Sequence, residues 1–249
     1  MVRARQVDSW LRQLITITHE LGKLQKKLGK VQKQIPFATA KALTATGQKV
    51  KAAEVAEMKK VFDRPTRFTL NSLFLRPATK QRLYAKVWLR DWAPKGTPAT
   101  KYLSPQIEGG RRKLKGFEVL LNRKGVLPDG YYVVPSRKAK KDAHGNINKG
   151  LLNQVLSYAG AQRDRAQNTK QGRARQTKAR FVVLDENNGK PGGIWQLDAN
   201  QNLYPILIFV RQPSYRIALD FHGVAAKVMR ANFDREMSKA LDHALRTAK

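Results

Sequence analysis

Apolar residues near the start of the chain recur at alternating spacings of four and three: Trp10, Leu14, Ile17, Leu21, Leu24, Leu28, Val31 and Ile35. The positions between them are largely polar and include Lys23, Lys26, Lys27, Lys30 and Lys33. An apolar side chain every 3.5 residues draws a narrow stripe along a helix. Residues 1–35 are therefore expected to form an N-terminal heptad-patterned helix, with Asp8 or Ser9 able to accept a bond from a first-turn amide. Trp10, Leu14, Ile17, Leu21, Leu24, Leu28 and Val31 are the candidate helix–helix or subunit interface. The pattern leaves open whether that stripe packs on its own domain or on a neighbouring copy.

Pro36 lacks an amide hydrogen and crowds the preceding turn, so it is expected to end this helix and let a second run from about Phe37 to Phe62. The second helix has a small-residue face early, at Ala38, Ala40, Ala42, Ala45 and Gly47. Bulk follows at Val50, Val55, Met58, Val61 and Phe62. From Phe68 to Trp92 the period falls to two, with Leu73-Phe74-Leu75 extended and Leu83, Ala85, Val87 and Leu89 alternating against Tyr84, Lys86 and Trp88. This reads as a hairpin-like strand pair turning at Arg76-Pro77-Ala78-Thr79.

Residues 94–179 then read as a loop-rich insertion or arm holding two short helices, around Phe117, Val119, Leu120 and Leu121 and around Leu151, Leu152, Val155 and Leu156. Three short strands follow, at Arg180–Leu184, Gly193–Leu197 and Tyr204–Val210. A closing helix from about Phe221 carries Val224, Val228, Phe233, Met237, Leu241 and Leu245, with basic residues at the negative end of its dipole. The expected fold class is α+β: long N-terminal helices and a C-terminal helix packed on a small, mostly antiparallel sheet, with a basic loop-rich insertion. The expected domain plan is the heptad helix at 1–35, a core from 36–93 and 180–249, and the insertion at 94–179.

Composition adds a partner class. Of 249 residues, 49 are Lys or Arg and 18 are Asp or Glu, a formal net charge of +31. A field of that size attracts polyanions or acidic protein surfaces; it names the sign of the partner and not its identity. The charge is locally dense in the insertion. Arg111, Arg112, Lys113 and Lys115, then Arg137, Lys138, Lys140 and Lys141, then Arg173, Arg175, Lys178 and Arg180 are the candidate residues facing DNA or an acidic partner. The aromatics beside the first two clusters, Phe117, Tyr131 and Tyr132, suit a core as well as base stacking. The pattern is therefore compatible with phosphate contact and gives no support for sequence reading.

Catalytic chemistry finds no foothold. The absence of cysteine excludes disulfides, thiol catalysis and thiolate metal sites. His19, His144, His222 and His243 never fall four apart on one helix face, and no metal site is expected. The carboxylates are dispersed rather than paired, and Glu54 and Glu57 read as surface partners of Lys51 and Lys60. Gly189-Lys190-Pro191-Gly192-Gly193 lacks the spacing of a phosphate loop and reads as a turn. No catalytic residue or cofactor is expected, nor is a signal peptide or membrane span.

Two stretches carry a family likeness. Gln34-Ile35-Pro36-Phe37-Ala38-Thr39-Ala40-Lys41-Ala42-Leu43-Thr44, with Phe62-Asp63-Arg64-Pro65-Thr66-Arg67-Phe68-Thr69-Leu70-Asn71-Ser72-Leu73, resembles the opening of the prophage minor tail protein Z family. Leu207-Ile208-Phe209-Val210-Arg211-Gln212-Pro213-Ser214-Tyr215 is similar to the closing strand of the same group. Lys95-Gly96-Thr97-Pro98-Ala99 and Gly109-Gly110-Arg111-Arg112 add to it. The resemblance implies a non-enzymatic virion protein, a tail-completion, tail-terminator-like or head-to-tail neck subunit. It further implies a homo-oligomeric ring, six copies by preference with twelve the alternative, beside portal-side, neck or tail-tube proteins around the DNA channel. Non-specific contact with genomic DNA, residence in the virion and assembly in the host cytoplasm follow from the same likeness. The alternative reading is a free basic nucleic-acid-binding protein acting in packaging or host interference.

Overall fold

A computed structural model describes residues 15–17, 34–94, 96–169, 180–187, 192–198 and 200–247. In chain order the elements are β1 (Ile15–Ile17), α1 (Ile35–Val61), α2 (Arg67–Leu70), β2 (Leu73–Arg76), β3 (Ala85–Leu89), α3 (Ala99–Ile107), β4 (Gly110–Arg111) and α4 (Gly116–Arg123). They continue as β5 (Tyr131–Pro135), α5 (Lys149–Tyr158), β6 (Arg180–Leu184), β7 (Gly193–Leu197), β8 (Leu203–Arg211), β9 (Ser214–Tyr215) and α6 (Phe221–Thr247). The chain is α+β and divides into two compact units, one from Met1–Glu108 with Ile217–Lys249 and one from Gly109–Arg216.

In the first unit α1 and α6, each 27 residues long, pack along one another. Pro36 occupies the first turn of α1, where a missing amide hydrogen costs nothing because that amide has no intrahelical acceptor. The face of α1 that is buried begins small, with Ala38 and Ala42, and turns bulky at Leu43, Val50 and Met58. It meets Phe221, Ala225, Phe233, Met237, Ala240 and Ala244 of α6 in one core. A three-stranded antiparallel sheet, ordered β1-β3-β2, contributes Leu73, Ala85, Val87 and Leu89 to that core, and α3 adds Ala99, Leu103 and Ile107.

The N-terminal expectation is corrected here. Ile15–Ile17 is extended and pairs antiparallel with β3, Ile15 opposite Val87 and Ile17 opposite Ala85, so no single helix runs from Trp10 to Ile35. Ile15-Thr16-Ile17 is a run of β-branched residues, whose side chains crowd a helical turn and fit a pleated surface. Ile17 thus belongs to a strand, while Trp10, Leu14, Leu21, Leu24, Leu28 and Val31 lie outside the described residues.

The second unit is built on a four-stranded antiparallel sheet ordered β5-β8-β7-β6, beside a short β4-β9 pair. Its own core gathers Leu121 and Leu127, Val133 of β5, Leu151, Val155 and Leu156 of α5, and Phe181, Ile194, Ile206, Leu207 and Phe209. Helices stand where the two short ones were expected. The domain plan differs, however: the strands between 180 and 211 pair with Tyr131–Pro135 rather than with the 73–89 hairpin. Residues 94–108 of the expected arm belong to the first unit, and residues 109–179 supply the larger part of the second. The decisive pairing, Val133 opposite Phe209, joins residues far apart in the chain, which no local period signals. Gly193 lies within β7, where a Cβ would collide with the carbonyl oxygen of Leu207; only glycine lets the two backbones approach.

Candidate polyanion-binding surface

The first basic cluster separates into two roles. Arg112 points inward: its guanidinium donates to both oxygens of Glu118, at 2.6 Å each, and lies 4.5 Å from the centre of the Tyr132 ring. Glu118 is fully buried and also accepts from the backbone amides of Lys115, at 2.6 Å, and Val133, at 2.9 Å. Burial opposes ionisation of Glu118, but the Arg112 bonds and the two amides outweigh it and hold the carboxyl below the usual range. Arg112 is therefore a structural clamp between α4 and β5, not a partner-facing cation. Arg111, Lys113 and Lys115 around it are exposed.

The second cluster lies at the surface. Arg137, Lys138, Lys140 and Lys141 are all exposed on the loop after β5. The loop is braced by Asp142, whose Oδ1 accepts from the amides of His144 and Asn146 at 2.9 Å each, and by the amide of Asn148 donating to Lys140 O at 2.9 Å. Beside it opens a cavity of about 460 Å³ lined by Lys138, Lys140, Asn148, Gln154, Gln196 and Tyr204. Lys138 Nζ sits 5.7 Å from the centre of the Tyr204 ring. Asn148 Oδ1 already accepts from the first-turn amides of Gly150 and Leu151, so the start of α5 is capped from within. Arg180 is exposed at the start of β6, and Arg173, Arg175 and Lys178 lie outside the described residues. Tyr132 is buried, and Phe117 and Tyr131 pack on the core of the second unit, so these rings are not stacking platforms.

Such a surface attracts phosphate or carboxylate through flexible lysines and arginines, without converging donors that would select a small anion. Among the described residues no group of three His, Asp or Glu is arranged to hold a metal ion. No helix among them is long and apolar enough to cross a membrane.

Glu57 does approach Lys60, at 3.8 Å, but the reading of Glu54 as a surface residue is wrong. Glu54 is fully buried and neither carboxylate oxygen has a hydrogen-bond partner. Burial, reinforced by the charges of Asp220 and Glu57, pushes its carboxyl up to about 8. The period of two that marks Ala85, Val87 and Leu89 as core also puts Lys86 and Trp88 on the opposite face of β3. The chain matches no protein-family model, no curated protein and no solved structure.

Proposed function

We propose that this protein is a non-enzymatic structural subunit of a tailed-phage particle. It acts as a tail-completion or neck component that assembles into a ring, six copies by preference, between the tail and portal-side neighbours around the DNA channel. The observation that carries the reading is the likeness of residues 34–73 and 207–215 to the minor tail protein Z family; these stretches form α1 through β2 of the first unit and β8–β9 of the second. Two physical features support it. The outer edge of β6 has no strand beside it among the described residues, and an open edge is a surface that a neighbouring copy can cover. The exposed cations of the second unit suit acidic neighbours or DNA in a channel.

The test is charge reversal at Arg111, Lys113 and Lys115, with Arg112 left intact because it holds Glu118. Particles assembled with the variant should lose tail joining or DNA retention. Normal assembly, or absence of the subunit from purified particles, would refute the reading.

The net charge of +31 favours a second reading, a free nucleic-acid-binding protein in packaging or host interference. That reading requires duplex binding by the isolated protein with a steep salt dependence, because each neutralised phosphate releases counterions.

A further inference from the structure

From Arg82 to Trp92 every second residue is alternately basic and aromatic: Arg82, Tyr84, Lys86, Trp88, Arg90, Trp92. In β3 the intervening residues Ala85, Val87 and Leu89 are buried in the core, so the period of a strand sends Lys86 and Trp88 to the opposite face. β2 extends this face sideways, with Phe74 opposite Trp88 and Arg76 opposite Lys86. The rings of Phe74 and Trp88 stack with centres 5.8 Å apart.

Each cation of the row lies against a ring. Arg82 is 5.5 Å from the centre of Tyr84, Lys86 Nζ is 5.6 Å from Trp88, and the Arg90 guanidinium lies 4.6 Å from Phe74 and 5.0 Å from Trp92. Such contacts fix the orientation of a cation without neutralising it. Among the described residues, none of Arg76, Lys86 and Arg90 makes an ion pair with a carboxylate. Trp92, at the end of the row, is 57% exposed, an unusual position for so large an apolar ring. The extended part of the row is β3 itself, Ala85–Leu89, which advances about 3.3 Å per residue.

We infer that this face of the first sheet binds single-stranded nucleic acid, the phosphates lying along Arg76, Lys86 and Arg90 and an unpaired base stacking on Trp92. A groove or face that alternates fixed cations with aromatic planes matches the repeating charge and π-surface of a single strand. A duplex meets the cations equally well but keeps its bases stacked inside, leaving Trp92 without a partner. An acidic peptide likewise satisfies the charges and not the ring. The inference does not rest on the virion reading, since its observations are the alternation and the ring contacts of β2 and β3.

The test uses the full chain, a labelled oligothymidylate, a duplex of equal length, and fixed salt near physiological strength. Trp92→Ala should weaken oligothymidylate binding about tenfold or more, while Trp92→Phe, which keeps a ring, retains most of it. Duplex binding should be unchanged by both. Alanine at Arg137, Lys138, Lys140 and Lys141 together should weaken duplex binding and leave the Trp92 effect on the single strand intact. Failure of the unaltered protein to bind oligothymidylate would overturn the inference. So would wild-type binding by Trp92→Ala, or equal weakening of single strand and duplex by that change.

Discussion

Replacing Glu54 by Gln tests the internal electrostatics of the first unit directly. The carboxyl is fully buried in α1, without a hydrogen-bond partner for either oxygen, and with Asp220 and Glu57 adding like charge. Its ordinary value of 4.5 is raised to about 8 in the folded protein. Below about pH 4.5 folded and unfolded chains both hold the proton, and stability is independent of this group. Between there and about pH 8 the unfolded chain releases a proton that the folded chain keeps, so stability falls by about 1.4 kcal/mol per pH unit. Above about pH 8 the folded group ionises too and the loss levels off. The accumulated loss at neutral pH is on the order of 3 kcal/mol, taken as an upper figure because local relaxation softens the burial cost. Gln is of similar shape and cannot ionise. Urea unfolding followed by far-ultraviolet circular dichroism should therefore show Glu54→Gln gaining on the unaltered protein as pH rises from about 5 to about 8. Glu54→Leu should gain more, because it also removes the unpaired acceptors. Parallel stability curves for the unaltered protein and Glu54→Gln across that range would refute the reasoning.

Two further changes test the second unit. Gly193→Ala forces a Cβ against the carbonyl oxygen of Leu207, a backbone atom that cannot swing away, so unfolding read by tryptophan fluorescence should show a loss of about 2 kcal/mol or more. Arg112→Ala strands a buried carboxylate and should cost about 3–5 kcal/mol at neutral pH, with Arg112→Lys recovering only part because it cannot reproduce the two-pronged bond. Since the folded protein holds Glu118 below its ordinary range, the stability from the pair is present at neutral pH and lost as pH falls through that lowered value. The unaltered protein should therefore lose its advantage over Glu118→Gln in acid.

The elements legible in the amino-acid order are those whose signal is local. The spacing of Val50, Val55 and Met58 marks α1, and that of Phe233, Met237 and Leu241 marks α6. The alternation through Ala85, Val87 and Leu89 marks the hairpin, and the apolar groups at 117–121 and 151–156 mark α4 and α5. The exposed loop at Arg137–Lys141 was legible for the same reason, because a dense run of charge is costly to bury. The alternation of Arg82 through Trp92 was written in the chain as well; its meaning as a surface needed β2 beside β3, which brings Phe74 and Arg76 alongside it. Only the folded chain decided the rest. Ile15–Ile17 takes the strand its β-branched side chains favour because β3 offers an edge, overriding a heptad pattern that needs a partner helix. Tyr131–Pro135 finds its partner in β8, and this pairing gives the basic segment a core of its own. Arg112 turns inward because Glu118 is buried within reach, and Glu54 is buried by packing that a count of its helical neighbours cannot register. In each of these cases the deciding energy lies in contacts between residues distant along the chain, so composition and period could name the residue but not its surroundings.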